Sequence, residues 1–171
     1  MGVNHKSFKI VQDTDKAITV MHSAGEWIKD SGKYLSKWWD PENLNRESLL
    51  RHAEPDEFFV GLVDEKPAVA TIFQLNQRNQ DWSSVDKDYP KKALYIHWLS
   101  VEREFAGMGL PKLMIDFATH QAQEKNIRLL RLDTNVEEVK LRKIYEDLGF
   151  RLVSVAKEDN HKTAFYQKTL D

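Results

Sequence analysis

The stretch Tyr95–Leu113, Y-I-H-W-L-S-V-E-R-E-F-A-G-M-G-L-P-K-L, carries an apolar run with strand character through a Gly-x-Gly turn into an amphipathic helix. No other part of the chain restricts the fold as much. A strand that hands over to a helix in this way aims unpaired backbone N–H groups and the positive end of a helix dipole at one spot. Gly107 and Gly109 permit positive φ and let a ligand approach the backbone. Together these features favour an anionic group, most naturally a pyrophosphate. The dinucleotide fingerprint and the Walker pattern do not fit, because a third spaced glycine and a Gly-Lys-Ser/Thr run are both missing. Lys112, in the first turn, either adds charge or is a solvated surface lysine. The turn as a whole also has a purely directional reading.

Around that junction, hydrophobic periodicity predicts the order of elements. Phe8–Gln12 alternates as a strand, Asp13-Thr14-Asp15 offers a cap, and Ile18, Met21, Ala24, Trp27 and Ile28 recur at helical spacing to about Asp30. Pro41 opens a second helical pattern through Leu44, Leu49 and Leu50. Trp38-Trp39, just before it, either caps a core or stacks on a substrate, and we adopt the first reading. Glu57–Val63 and Ala68–Leu75 read as a hairpin about Asp64-Glu65-Lys66-Pro67. The polar segment 76–92 reads as a long exposed loop, either bordering a site or disordered.

The strand Ala93–Val101 follows, then the helix Leu110–Glu124, whose apolar face is Leu113, Met114, Phe117, Ala118 and Ala122. Ile127–Leu132 reads as a strand and Val136–Leu148 as a helix stopped by Gly149. Phe150–Ala156 and Thr163–Lys168 close the chain as a hairpin. The predicted order is β-α-α-β-β-β-α-β-α-β-β, an α/β fold with a mixed sheet flanked by helices, in a single domain spanning residues 1–171.

Composition removes several function classes. A net charge of −2 argues against a nucleic-acid binder that works through a basic face. With no cysteine, disulfides, thiolate metal sites and a cysteine nucleophile are excluded. The six histidines are scattered, none three or four residues from another, so no metal site is expected. No apolar run is long enough to span a membrane and no signal peptide is recognisable, so a cytoplasmic protein without a membrane partner is expected.

Downstream of the glycine turn, Leu132-Asp133-Thr134-Asn135 ends a strand. The next helix carries Leu141, Ile144 and Leu148 as an apolar stripe, with Tyr145 beside it before Gly149-Phe150. Tyr145 is either a core tyrosine with a satisfied hydroxyl or a proton donor to a leaving group.

Together, L-S-V-E-R-E-F-A-G-M-G-L-P-K-L, L-D-T-N and I-Y-E-D-L-G-F resemble the GNAT superfamily of acetyl-CoA-dependent N-acetyltransferases, over Ala93–Val153. The resemblance implies acetyl-CoA as co-substrate. Its pantetheine would lie along Leu99, Ser100 and Val101, and its pyrophosphate against Ala106, Gly107, Met108, Gly109, Leu110, Pro111 and Lys112. The family's Arg/Gln-x-x-Gly-x-Gly/Ala pattern falls on 106–111, with Ala106 in place of Arg or Gln and Pro111 in place of the last Gly or Ala. Losing the Arg leaves the backbone donors intact, whereas Pro111 removes one N–H but fits a first helical turn. Glu138 stands where the family often has Asn, and Asn135 is the nearest substitute.

The resemblance further implies that an N–H near Leu99 polarises the thioester carbonyl, that Tyr145 protonates the departing CoA thiolate, and that the acceptor amine attacks directly in a ternary complex. His97, two residues before Leu99 on the same predicted strand face, is the best-placed general base, with a structural histidine as the competing reading. Glu102 is a weaker candidate and water a further one. The acceptor is expected to be a small-molecule or peptide primary amine, and a homodimer is an open expectation. Asp81, Asp86 and Asp88 in the loop, and Glu26, Glu42 and Glu47 in the early helices, either surround such an amine or solvate a surface. A second function class stays open, an acyl-CoA-binding module of the same fold without turnover.

Overall fold

A computed structural model describes residues 7–77, 79–158 and 160–171. The elements follow one another in the predicted order: β1 (Phe8–Gln12), α1 (Thr14–Asp30), α2 (Arg46–Leu49), β2 (Phe58–Val63), β3 (Lys66–Gln74), β4 (Leu94–Val101), α3 (Leu110–Glu124), β5 (Leu129–Asn135), α4 (Val139–Asp147), β6 (Arg151–Glu158) and β7 (His161–Thr169). The strands form a seven-stranded mixed sheet in the order β1-β2-β3-β4-β5-β7-β6. β4 and β5 run parallel, with Leu94 opposite Leu130 and Tyr95 opposite Arg131. The β1–β2, β2–β3, β5–β7 and β6–β7 pairs are antiparallel. The chain divides into two compact units, one running to Phe73 and including Trp98–Ile115, the other made of Gln74–His97 and Asp116–Asp171.

In the first unit Asp13 accepts a hydrogen bond from the Lys16 N–H and starts α1, as its position in the sequence predicts. α1 buries Ala17, Ile18, Val20 and Met21 against Phe58, Val60, Leu62, Ala70 and Ile72 of β2 and β3. The hairpin turn is tighter than the four residues expected. Only Asp64 (φ 48°) and Glu65 (φ 68°) lie outside the strands, both left-handed, which matches a two-residue turn to the twist of the strands it joins. The second predicted helix is broken in two. Pro41–Asn43 is a 3-10 turn, and Asn45 then interrupts: its side-chain amide donates to the Glu42 carbonyl while its oxygen accepts from the Ser48 N–H. That cap starts the four-residue α2.

In the second unit the described residues of segment 76–92 are irregular, as expected, but they are not simply exposed. Trp82 is fully buried and packs edge-on to Tyr95 and Phe165, with centroids at 5.8 and 5.0 Å. Asp86, expected at a surface or beside a substrate, is buried and takes both terminal nitrogens of Arg131 at 2.6 Å. The Arg131 guanidinium also lies over the Trp82 ring, 4.7 Å from its centroid. One arginine on a central strand thereby anchors an otherwise irregular loop. It holds the Asp86 carboxyl below its ordinary range, against the opposing effect of burial.

Three apolar positions assigned to buried helix faces are exposed instead: Trp27, Leu113 and Ile144. Gly25 of α1, Ile115 of α3 and Tyr145 of α4 are buried on those helices.

Removing one partner of a fully buried ion pair strands the other charge, a loss of about 3–5 kcal/mol. Asp86→Ala should therefore lower unfolding stability by that order in urea titrations, and Asp86→Leu combined with Arg131→Met should recover most of it. An Asp86→Ala protein as stable as wild type would contradict this account of the loop.

Candidate active site

The second half of β4 belongs to the first unit, and it is irregular. Trp98 has φ 51°, a left-handed conformation rare for a bulky residue. Its indole N–H donates to the Trp38 carbonyl at 2.8 Å, and its ring packs against those of Trp38 and His52, at 6.0 and 5.9 Å. Trp38 and His52 themselves meet edge-on at 5.2 Å. The two adjacent tryptophans thus divide: Trp39 packs onto the core, whereas Trp38 joins a half-buried aromatic group beside the start of the predicted pantetheine strand. Next along β4, Leu99 and Val101 are half-buried and pack on the cluster of Phe105, Leu110 and Met114, while Ser100 is buried and donates its hydroxyl to the Trp98 carbonyl.

The glycine turn is an arch pinned at both feet. Phe105 and Leu110 are buried in the same cluster, and Ala106, Gly107, Met108 and Gly109 between them are exposed. Gly107 (φ 82°) and Gly109 (φ 74°) are both left-handed, and a Cβ on either would meet nothing within 4 Å. Glycine is therefore required here by backbone conformation, and the space before it is open. α3 starts at once with Leu110, Pro111 and Lys112, so its N-terminus stands at the foot of the arch. Open space, left-handed glycines and a helix N-terminus meet the needs of a pyrophosphate.

The second unit holds the tyrosine. α4 ends in a Schellman motif: the Phe150 N–H reaches back to the Tyr145 carbonyl at 3.0 Å and the Gly149 N–H to the Glu146 carbonyl at 3.0 Å. Gly149 supplies the left-handed residue, with φ 96°. In such a motif the residues at the two ends of the longer bond pack together, and here these are the rings of Tyr145 and Phe150, 6.1 Å apart. A second clamp comes from β7, where the Tyr166 hydroxyl accepts from Arg142 Nε and donates to Glu146 Oε1, both at 2.9 Å. Tyr145, between those two helix residues, is only 4% exposed. Its hydroxyl makes no hydrogen bond to the described residues, and its oxygen is not among the fully buried unpaired atoms. Burial, and then the charge of Asp133, push the phenol well above its ordinary range, so it stays protonated across physiological pH.

A model of the acetyltransferase (GNAT) family matches residues 22–150. The chain belongs to this family. An N-acetyltransferase of Bacillus subtilis called YesJ, itself uncharacterised, is 22% identical over 156 residues, spanning 89% of this chain and 84% of the relative. Among solved structures, a GNAT-family acetyltransferase from Listeria monocytogenes superposes with a TM-score of 0.69 at 23% identity, covering 99% of each chain. The PaiA N-acetyltransferase of Thermoplasma acidophilum, solved in complex with coenzyme A, superposes with a TM-score of 0.68 at 15% identity, covering 95% of this chain and 99% of its own. At these identities the likeness of the structures concerns the fold.

For a member of this family, the remaining predicted site residues fall as follows. Asn135 ends β5, and its side-chain oxygen accepts from the Glu137 N–H at 2.9 Å, so that oxygen is committed to the turn before α4. α4 itself begins three residues later than predicted. His97 lies in the second unit, buried and stacked parallel to Tyr95 at 6.4 Å. Burial lowers it to about 4, which leaves the imidazole neutral and weakly basic. The alternation that set it on the same face as Leu99 does not carry across the left-handed Trp98. Glu102 accepts from the Ser23 hydroxyl at 2.8 Å. Sequence reading passed over Asp133, a partly buried carboxyl on β5 whose side chain accepts from Gln80 Nε2 at 3.3 Å. Its place beside the strand end and two residues before Asn135 was the available signal.

His97 has its folded value below the ordinary 6.5, so its contribution to stability is complete above pH 6.5 and is lost as pH falls toward about 4. His97→Gln should flatten that loss by on the order of 3 kcal/mol across the window. Urea titrations at fixed pH between those limits measure it, and identical pH slopes in wild type and variant would refute the assignment.

Proposed function

We propose that this chain transfers an acetyl group from acetyl-CoA to a primary amine of a small-molecule or peptide acceptor, by direct attack in a ternary complex. The observation that carries the reading is Tyr145, a buried and protonated phenol whose hydroxyl has no hydrogen-bond partner among the described residues. A hydroxyl left for a ligand fits a proton donor to a leaving group.

Acetyl-CoA supplies an activated acetyl thioester, so the chain needs no nucleophile of its own, in keeping with the absence of cysteine. The arch 106–109 and the first turn of α3 fit its pyrophosphate, with Lys112 as a nearby cation, and the main chain of Leu99 to Val101 fits its pantetheine arm. Ala106 and Pro111 leave this cradle to rest on main-chain donors. An N–H of β4 near Leu99 stabilises the negative charge that develops on the thioester oxygen. Tyr145 holds the proton that the thiolate requires on departure. His97 is a weak base in its buried setting, which leaves the removal of the amine proton to another group.

Calorimetry with acetyl-CoA, followed by thiol release against a panel of alkyl, arylalkyl and peptide amines, tests the reading. Binding and release with at least one amine are expected. Binding without release for any amine would support an acyl-CoA-binding module instead, and no binding would remove both. With a reactive amine, Tyr145→Phe should lower kcat by about 10²–10⁴-fold, and His97→Ala by less. A larger loss at His97 with the fold intact would reverse that ranking. Gly109→Val, forced into a left-handed φ of 74°, should weaken acetyl-CoA binding by about tenfold or more while thermal unfolding changes little.

A further inference from the structure

We propose that Arg103 supplies to a phosphate of acetyl-CoA the cation that Ala106 does not, and that Trp27 of α1 holds its guanidinium in place for that contact. This rests on the acetyl-transfer reading above, to which it adds a binding residue and a positioning residue, both within the first unit.

Trp27 lies near the C-terminal end of α1 and is 38% exposed, although its spacing assigns it to the buried face. Its ring has company instead of a core. The Arg103 guanidinium lies over it, 4.2 Å from the centroid, and Lys33 Nζ lies 5.3 Å from the same centroid. One indole therefore gathers two cations. One turn earlier on the helix, the Ser23 hydroxyl donates to Glu102 Oε2 at 2.8 Å. Ser23 and Trp27 are four residues apart and share a helix face, and that face holds the adjacent residues Glu102 and Arg103. The Glu102 N–H is bonded to the Ala68 carbonyl at 2.9 Å, so the chain entering the arch is fixed by backbone as well as by side chains.

Arg103 has a glutamate on either side in the sequence and pairs with neither. The Glu102 carboxylate is turned to Ser23, and Glu104 is exposed. Among the described residues the Arg103 guanidinium meets no carboxylate and makes no side-chain hydrogen bond. A guanidinium stacked on a ring keeps its N–H donors around its edge in one fixed plane, the fork that matches phosphate oxygens two at a time. Its charge is thus held in position and not neutralised by the protein.

The position is next to the arch. Arg103 opens the 3-10 turn Arg103–Phe105, and the Ala106 N–H closes on the Arg103 carbonyl at 3.1 Å. Residues three apart in such a turn eclipse one another, so Arg103 leaves the backbone on the same side as Ala106, displaced along the axis by about 6 Å. Phe105, between them, is buried in the cluster with Leu110 and Met114. Ala106 is the first exposed residue of the arch and stands where the family pattern puts Arg or Gln. The cation missing from that place is present one turn upstream, steadied by the ring of Trp27.

Calorimetry with coenzyme A, and with coenzyme A lacking its 3′-phosphate, tests the proposal. Arg103→Ala should weaken coenzyme A binding by about tenfold or more through loss of a charge-assisted contact. It should also flatten the dependence of affinity on salt. Equal losses for both ligands assign the contact to the pyrophosphate, and a loss confined to the complete coenzyme assigns it to the 3′-phosphate; either supports the cation. Adding Ala106→Arg to Arg103→Ala should restore most of the affinity. Trp27→Leu should weaken binding by about threefold in the wild type and not at all in the Arg103→Ala background, because a positioning ring acts only through the arginine. Should Arg103→Ala not fold, Arg103→Gln takes its place in each comparison. Coenzyme A bound by Arg103→Ala as tightly as by the wild type overturns the proposal and leaves the acetyl-transfer reading standing. A loss that Ala106→Arg does not recover, or that leaves the salt dependence unchanged, also overturns it, since Arg103 then acts through the fold. Equal losses from Trp27→Leu in both backgrounds overturn the role given to the ring. A wild type that binds no coenzyme A overturns the cradle itself, and the proposal falls with it.

Discussion

Trp98 is the constraint on which β4 depends. A bulky residue held at φ 51° costs about 1–3 kcal/mol, and only surroundings that over-determine it keep it there. The indole hydrogen bond to Trp38 and the packed rings of Trp38 and His52 supply that restraint within the first unit. Its consequence is a break in the pleat. Residues 94–97 are buried in succession, whereas Trp98 and Leu99 are both half-buried, a pattern that regular alternation does not produce. The division between the two compact units also falls between His97 and Trp98. An irregular strand withdraws main-chain groups from the sheet ladder, which is a condition for offering them to a ligand.

The same economy governs the other candidate positions. The glycine arch is held by one buried side chain on each foot, Phe105 and Leu110, and otherwise by backbone conformation. Tyr145 is placed by a C-terminal helix motif whose required glycine and apolar partner are its near neighbours in sequence, Gly149 and Phe150. In each case a short local motif sets the geometry and a single apolar contact seats it in the core.

Local encoding also explains what was legible. The order of elements, both hairpins, the cap at Asp13, the arch at Gly107 and Gly109 and the stop at Gly149 all follow from residues adjacent in the chain. What escaped depends on partners far away. Asp86 reads as a surface charge until Arg131, 45 residues on, is brought against it. Trp82 looks like part of a polar loop until Tyr95 and Phe165 enclose it. Ile144 and Tyr145 differ by one position, and periodicity alone chose the wrong one because the ties from Arg142 and Glu146 to Tyr166 set the rotation of α4. The left-handed Trp98 left no compositional trace, since tryptophan is not a residue that signals positive φ. The face-sharing of His97 and Leu99 read from alternation does not hold for that reason.

The distribution of arginines within the second unit shows why the partly buried Asp133 differs from the buried Asp86. Asp86 and Asp133 both contact side chains of the same loop and strand framework, and both are disfavoured as anions by burial. Arg131 compensates one and holds its carboxyl low, while the other is left with a neutral amide and the like charge of Glu158. The first arrangement stabilises structure and is inert to protons near neutrality. The second has the opposite property, because a carboxyl near 7 changes its protonation close to neutrality. Stability points the same way. With its folded value above the ordinary 3.8, Asp133 contributes fully only below that pH, and its contribution is lost as pH rises through about 7. A chain selected for stability alone would place a cation or an apolar side chain at 133.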